Sequence, residues 1–414
     1  MVGKQGWSMR IGVAAFVAVL CIGVGVARGA FGTDGKVVTD LGGINAADAV
    51  AIARGGKIVA AGHSTIDGTF DFAVVRYRKG GKLDNGFGTG GSRIADLGGF
   101  DIAHAVLALP NGKIVAGGTS DGGAANDRGT LVRFRKNGGA DSSFSGDGIA
   151  RLNVPGGSGI TDMARQHNGK IVVVGVASPG KMLIARFRPG GALDKSFAND
   201  GIRKVGIDEF TSANGVALQG KKIVVSGVTS GGQMGDPSRG AFVRLRPNGK
   251  LDRSFSKDGR KKVVLPPNGH LNDVAVRNGK IVGAGFVFDI GFKRTVLVRL
   301  RKGGGLDRSF AGNGRKVYKF GANSEARSLA FQGKKIVVGG VRADPIADYF
   351  VARFKANGRK DRSFAGNGFR TTDFGDGDGI AEIALQRDRK IVAAGEGADA
   401  VALARYRKNG ALDK

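Results

Sequence analysis

The sequence predicts an all-β fold, a seven-bladed β-propeller of four-stranded antiparallel blades closed by its N-terminal strand. Three observations predict it. First, a turn followed by an aromatic residue recurs at Phe31, Phe87, Phe144, Phe197, Phe255, Phe310 and Phe364, with spacings of 56, 57, 53, 58, 55 and 54 residues. A period of about fifty residues signals a propeller, a solenoid or an array. Second, each unit holds four short apolar runs bounded by Gly or Asn turns, the signature of strands joined as hairpins. Third, the two ends interlock: FGTDGKVVTDL reads as a fourth strand without its first three, and AEIAL, KIVAAG and AVALARY as three strands without a fourth. Gly35 to Leu41 is therefore expected to complete the last blade, which removes the sheet edges that template aggregation.

Taken in order, residues 1–30 stand apart. Lys4 and Arg10 precede an uncharged apolar run from Ile11 to Val26, and small residues follow at Ala27, Gly29 and Ala30. A basic head, an apolar core and a small-residue exit predict a secretory signal peptide. An uncleaved anchor is the alternative, although the run is short of the ~20 residues that span a bilayer. The single cysteine, Cys21, lies in this segment, so residues 31–414 contain no disulfide and no thiol chemistry. The remainder reads as one domain, secreted or extracytoplasmic. Its first unit runs AVAIA (Ala49 to Ala53), KIVAAG (Lys57 to Gly62), FAVVRY (Phe72 to Tyr77) and SRIADL (Ser92 to Leu97). The phenylalanine of each unit is expected to wedge between blades, because an aromatic ring fills the gap between radiating sheets. The 74 glycines serve the turns that this many short strands need.

The units resemble the bacterial delta-60 repeat, whose pattern reads here as D-G-K-V-x-T-D-L-G, A-x-A-I, N-G-K-I-V-A-G-G, F-A-V-V-R-Y and G-x-L-D-x-S-F-G. The resemblance covers nearly all of residues 31–414. It implies a secreted, propeller-like protein and carries no catalytic residues.

Two residues recur in all seven units. An arginine ends the third strand (Arg76, Arg133, Arg186, Arg244, Arg299, Arg353 and Arg405), and an aspartate follows the next turn (Asp84, Asp141, Asp194, Asp252, Asp307, Asp361 and Asp413). Sevenfold recurrence points to structure rather than to one active centre, with Arg paired to Asp or to turn carbonyls. Asp34, Asp147, Asp200, Asp258, Asn313 and Asn367, each directly before Gly, suit a turn whose residues need positive φ. The loop DFGDGDGIAE gathers Asp373, Asp376, Asp378 and Glu382. Alternating carboxylates can ligate calcium, but the EF-hand spacing is absent, so a solvated acidic loop is the competing reading. No other cofactor is expected. His63, His104, His167 and His270 read as loop residues without metal-ligand spacing, and no nucleophile, metalloprotease or phosphate-loop motif appears.

Charge carries more information. The chain has a formal +29, which becomes +26 without residues 1–30 and their three basic side chains. In a propeller, the turns between strands one and two and between three and four share one rim. That rim would hold Lys250, Arg253, Lys360 and Arg362 among many basic residues. The other rim would hold Asp71, Asp101, Asp121, Asp162, Asp208, Asp273, Asp378 and Glu382 among others. The expectation is a monomeric, non-enzymatic binding module whose basic rim docks on an anionic surface polymer, with a glycan or a protein as other partners. Dedicated nucleic-acid binding is disfavoured, because no aromatics interleave with the basic turns. The alternative is a polysaccharide hydrolase or lyase using a carboxylate pair on the acidic rim.

Overall fold

The computed structural model describes residues 30–414 apart from 66–67, 122–126, 234–235, 267 and 376. The expected signal peptide and Asp376 thus lie outside the described residues. Seven four-stranded antiparallel sheets follow one another along the chain. Blade 1 comprises Asn45–Ile52, Ile58–Ser64, Asp71–Tyr77 and Ser92–Ala95. Blade 7 comprises Gly379–Leu385, Ile391–Gly397, Ala400–Tyr406 and, from the other end of the chain, Lys36–Thr39. That closing strand pairs antiparallel with the third strand of blade 7, Lys36 opposite Ala404 and Thr39 opposite Val401.

The first strands of consecutive blades pack against one another all the way round, and that of blade 7 returns to that of blade 1. The ring is closed and the first strands line its centre. The wedge expectation holds: all seven phenylalanines are completely buried. Phe144 of blade 2, for example, shares a cluster with Leu183 and Phe187 of blade 3.

The sequence pattern did not disclose a bulge in every first strand. The register slips at Asp48, His104, Thr161, Asn214, Asn272, Arg327 and Ala381. The bulge pushes the first strand's backbone onto the second strand, where only glycine fits: a Cβ on Gly62 would collide with the Ala46 carbonyl. This is why KIVAAG ends in glycine. Three bulged side chains reach the next blade, with Thr161 Oγ1 donating to the Ala213 carbonyl at 2.9 Å, Asn214 Nδ2 to Leu271 at 3.0 Å and Asn272 Nδ2 to Ala326 at 2.9 Å.

Two expectations need correction. His63, His104 and His270 lie on strands, and only His167 sits in a turn. The glycine of each Asp-Gly or Asn-Gly pair does take a positive φ, as at Gly148 and Gly201, but the Asp or Asn before it, Asp34 excepted, does not; the other positive φ falls on earlier residues such as Ser145, Ala198 and Asn199. Their side chains instead cap the backbone two residues on, Asp147 Oδ1 accepting from Ile149 N at 2.8 Å, a turn device specific to Asp and Asn.

Candidate functional site

The recurring arginines and aspartates form seven copies of one inter-blade staple. In blade 4, Arg244 Nε donates to Asp252 Oδ2 at 2.7 Å and Nη2 donates to Ser254 Oγ at 3.1 Å. Its Nη1 crosses to the Lys302 carbonyl in the turn of blade 5. The guanidinium lies over Phe255, 4.8 Å from the ring centroid. The wedge ring packs in turn on the turn glycine of the next blade, at φ +91 for Gly304, where a Cβ would clash with Ser256 and Phe255. The pairs Arg76–Asp84, Arg133–Asp141, Arg186–Asp194, Arg299–Asp307, Arg353–Asp361 and Arg405–Asp413 repeat the arrangement, and Arg405 crosses the ring closure to the Lys79 carbonyl.

A third member escaped notice in the sequence. The lysine that opens or directly precedes each second strand also bonds the aspartate: Lys57, Lys113, Lys170, Lys222, Lys280, Lys335 and Lys390 sit 2.6–2.8 Å from it. Burial alone would raise these carboxyls, but the Lys, Ser and Arg contacts outweigh it and hold Asp141, Asp307 and Asp361 at about 2. Asp194 and Asp252 are lowered in the same way, and Asp84 and Asp413 by their Lys and Arg contacts without a serine. Each staple sets at least two cations against one anion, and in blades 3, 4 and 7 a turn arginine, Arg188, Arg246 or Arg407, approaches the aspartate as a third. The blade aspartates therefore leave each staple with a net positive charge and offset the basic turns around them only in part, through Arg188, Arg246 and Arg407.

Those turns form the first rim. Arg78, Lys136, Lys250, Arg253, Lys302, Arg308, Arg359 and Arg362 are all exposed there. Lys360 is the exception among the candidate docking residues. It is half-buried, its Nζ lies 4.2 Å from the Phe320 centroid, and burial, with Lys316 nearby, lowers its pKa. It packs more than it projects.

The opposite rim is less simply acidic than its sequence suggests. Asp162, Asp273 and Glu382 are not on it. They stand on first strands, one residue past the bulge, and lash neighbouring blades: Asp162 Oδ2 accepts from Val216 N at 2.7 Å, Asp273 Oδ2 from Leu329 N at 2.7 Å and Glu382 Oε2 from Val50 N at 2.6 Å. Burial and mutual repulsion push Asp162 to about 8 and Glu382 well above the carboxylate range, and burial lifts Asp273 to about 6. Near them on the first strands, Asp48 lies 3.8 Å from His63 Nδ1 and 3.6 Å from His104 Nδ1, and despite its burial the two imidazoles bring it to about 2. The rim itself exposes apolar side chains, among them Ile290 at 90%, Phe100 at 58%, Phe210, Phe292 and Ile346.

The candidate calcium loop also divides. Asp373 and Asp378 stay together and are joined by Asp348, with one carboxylate oxygen from each within 4.8 Å of the others. Glu382 has left for the first strand. A second cluster of the same form, not foreseen, unites Asp71, Asp96 and Asp101. For the hydrolase reading, a cleft of ≈ 240 Å³ lined by Asp127, Arg128, Leu152, Asn153, Val154 and Pro155 offers one carboxylate, not a pair.

Six segments, residues 56–87, 109–144, 166–197, 221–255, 334–364 and 386–414, are similar to the family described as "Domain of unknown function (DUF5122) beta-propeller". No curated protein matches the chain. Among solved structures, Sqt1 of Chaetomium thermophilum bound to the N-terminus of the ribosomal protein L10 is 13% identical with a TM-score of 0.50, over 91% of this chain and 88% of that one. A second structure of Chaetomium thermophilum Sqt1 is 12% identical with a TM-score of 0.45, over 92% and 88%. At this identity the likeness concerns the fold.

Proposed function

We propose that this chain is an extracytoplasmic, non-enzymatic propeller of the delta-60 type that docks through its basic rim on an anionic polymer. The observation that carries the reading is the saturation of the seven blade aspartates. Because each is already held by a buried arginine and a rim lysine, the exposed cations of the turns, other than Arg188, Arg246 and Arg407 that approach the blade aspartates, keep their charge for a partner. A ring of repeated turns presents that charge at regular intervals, which suits a polymer of repeating phosphate or carboxylate more than a compact ligand. The extracytoplasmic placement rests on the basic, apolar and small-residue order of residues 1–30.

The test is binding of the purified protein to polyphosphate and to heparin across a salt series. Affinity should fall log-linearly with salt, because each neutralised anion releases counterions. Lys250→Glu, Arg253→Glu and Arg362→Glu together should flatten that slope, whereas Glu209→Lys and Asp399→Lys on the opposite rim should not weaken binding. Binding indifferent to salt, or lost equally from both rims, would refute the proposal.

The exposed Phe100, Phe210, Ile290 and Phe292 favour a second reading, a protein partner on the opposite rim. Sqt1 bound to the N-terminus of L10 supports it as a propeller holding a protein segment. Ile290→Asp with Phe292→Asp should then abolish protein binding and spare polymer binding.

A further inference from the structure

The junctions between blades differ in how they fill one spot on the second rim. Five residues before each blade arginine, the third strand carries Arg128, Lys181, Arg239 and Arg294 in blades 2 to 5, but Asp71 in blade 1 and Asp348 in blade 6. In blade 3, Lys181 Nζ turns onto the loop to the next blade and donates to the Glu209 carbonyl at 2.9 Å and the Asp208 carbonyl at 3.4 Å. In blade 5, Arg294 Nη1 does the same to the carbonyls of Gly321 and Ala322, both at 2.7 Å. A side-chain cation thus occupies these two junctions. At the junction of blades 1 and 2 the corresponding side chain is a carboxylate, and it meets two more.

There, Asp96 Oδ1 accepts from Gly98 N at 2.8 Å and Asp101 Oδ2 accepts from Leu97 N at 2.8 Å. Asp101 is completely buried, and its Oδ1 has no hydrogen-bond donor. The nearby Asp121 N–H donates to the Phe100 carbonyl at 3.0 Å and, facing the Asp101 carboxyl as well, helps to lower the pKa that burial raises. A buried carboxylate oxygen with no donor is costly unless a cation or a proton reaches it. The junction of blades 6 and 7 repeats the pattern. Phe374 N donates to Asp378 Oδ2 and Gly375 N to Asp373 Oδ1, and the buried Asp378 Oδ1 again lacks a donor. Here, however, a cation is partly supplied: Lys36 Nζ sits 2.8 Å from the Asp373 carbonyl and Arg342 lies near Asp348.

We infer that Asp71, Asp96 and Asp101 bind a divalent cation of the calcium class, which takes the place that Lys181 and Arg294 fill in blades 3 and 5. Oxygen atoms within 4.8 Å of one another fit around one ion at the roughly 2.3–2.6 Å typical of calcium, and an all-oxygen set selects a hard cation. The Asp348, Asp373 and Asp378 cluster is the weaker counterpart, because Lys36 competes there. The ion would tie blade 1 to blade 2 beside the apolar Phe100.

Calcium chloride titrated into the purified, chelator-treated protein, read by calorimetry and by melting temperature, tests this. Calcium should raise the melting temperature, and Asp96→Asn, an exposed position that keeps the Gly98 bond, should weaken binding at least tenfold. Asp147→Asn on the other rim should change nothing. Asp71→Lys, which rebuilds the blade 3 arrangement, should raise the calcium-free melting temperature and abolish the calcium response. No heat and no shift at millimolar calcium would overturn the inference, as would an undiminished response in Asp71→Lys. So would stabilisation by acidification to about pH 5 with indifference to calcium, which would show that the carboxylates share a proton instead.

Discussion

Replacing Arg244 by Ala tests the staple at its most buried copy. Arg244 is 2% exposed and Asp252 3%. The substitution removes the Asp252 bond, the Ser254 and Gln219 bonds, the link to the blade 5 turn and the stack on Phe255. Breaking a buried ion pair by deleting one partner costs about 3–5 kcal/mol, because the survivor keeps its desolvation penalty. Lys222 stays 2.7 Å from Asp252 and relieves part of that, while loss of a desolvated cation–π stack adds about 1–2 kcal/mol. The two corrections roughly cancel, which leaves about 3–5 kcal/mol. At an unfolding entropy of about 2.1 cal/mol/K per residue, a cooperative unit of about 380 residues loses ~0.8 kcal/mol per degree, so the melting temperature should fall by roughly 4–6 °C. Lys222→Ala is the control. Its side chain is partly exposed, so its loss should cost ~1 kcal/mol or less. Calorimetric melting of the two variants beside the parent decides the matter. If Arg244→Ala melts within about 1 °C of the parent, or if Lys222→Ala is as harmful, the staple does not hold the blades together.

Deleting residues 31–41 should do more damage than any point change, since it removes the strand paired to Val401–Ala404 and the buried Phe31 under Arg405. A buried Phe alone is worth about 3–5 kcal/mol, and a truncated protein that melts like the parent would disprove the closure. Lys360→Glu should cost stability through Phe320 rather than polymer affinity, measurable by melting and binding on the same sample. The staple aspartates set an acid limit with a definite sign. Asp141, Asp307 and Asp361 have pKa values of about 2, below the ~3.9 of an unfolded chain. Their stabilisation is therefore present above about pH 4 and is lost as pH falls towards 2. Denaturant midpoints between pH 5 and 2 should fall, and Asp361→Asn should remove part of that dependence.

The closed ring was legible because its signals are local and repeated. Turn glycines, the aspartate before each wedge and the out-of-phase ends are read without knowing what packs on what. The Arg and Asp pairing was legible from joint recurrence, and the same recurrence marked the lysine of K-I-V, whose role went unread because a lysine at a strand start looks like solubility charge. What stayed hidden was set by register. A bulge inserts one residue and turns every later side chain to the other face, and the seven bulged residues share no chemistry, so no motif announces them. That is why Glu382 was grouped with Asp378. A strand advances about 3.3 Å per residue, so four residues into the first strand Glu382 stands ~13 Å further along. The converse holds for Asp71, Asp96 and Asp101, spread over thirty residues of sequence and two blades yet brought within 4.8 Å. Their one sequence signal was a reversal of sign at a position otherwise held by Arg or Lys in blades 2 to 5. In a repeat protein the fold is written by what recurs. Individual chemistry is written by what departs from the repeat, and a basic position turned acidic beside two further carboxylates is the departure that calls for a cation from outside the chain.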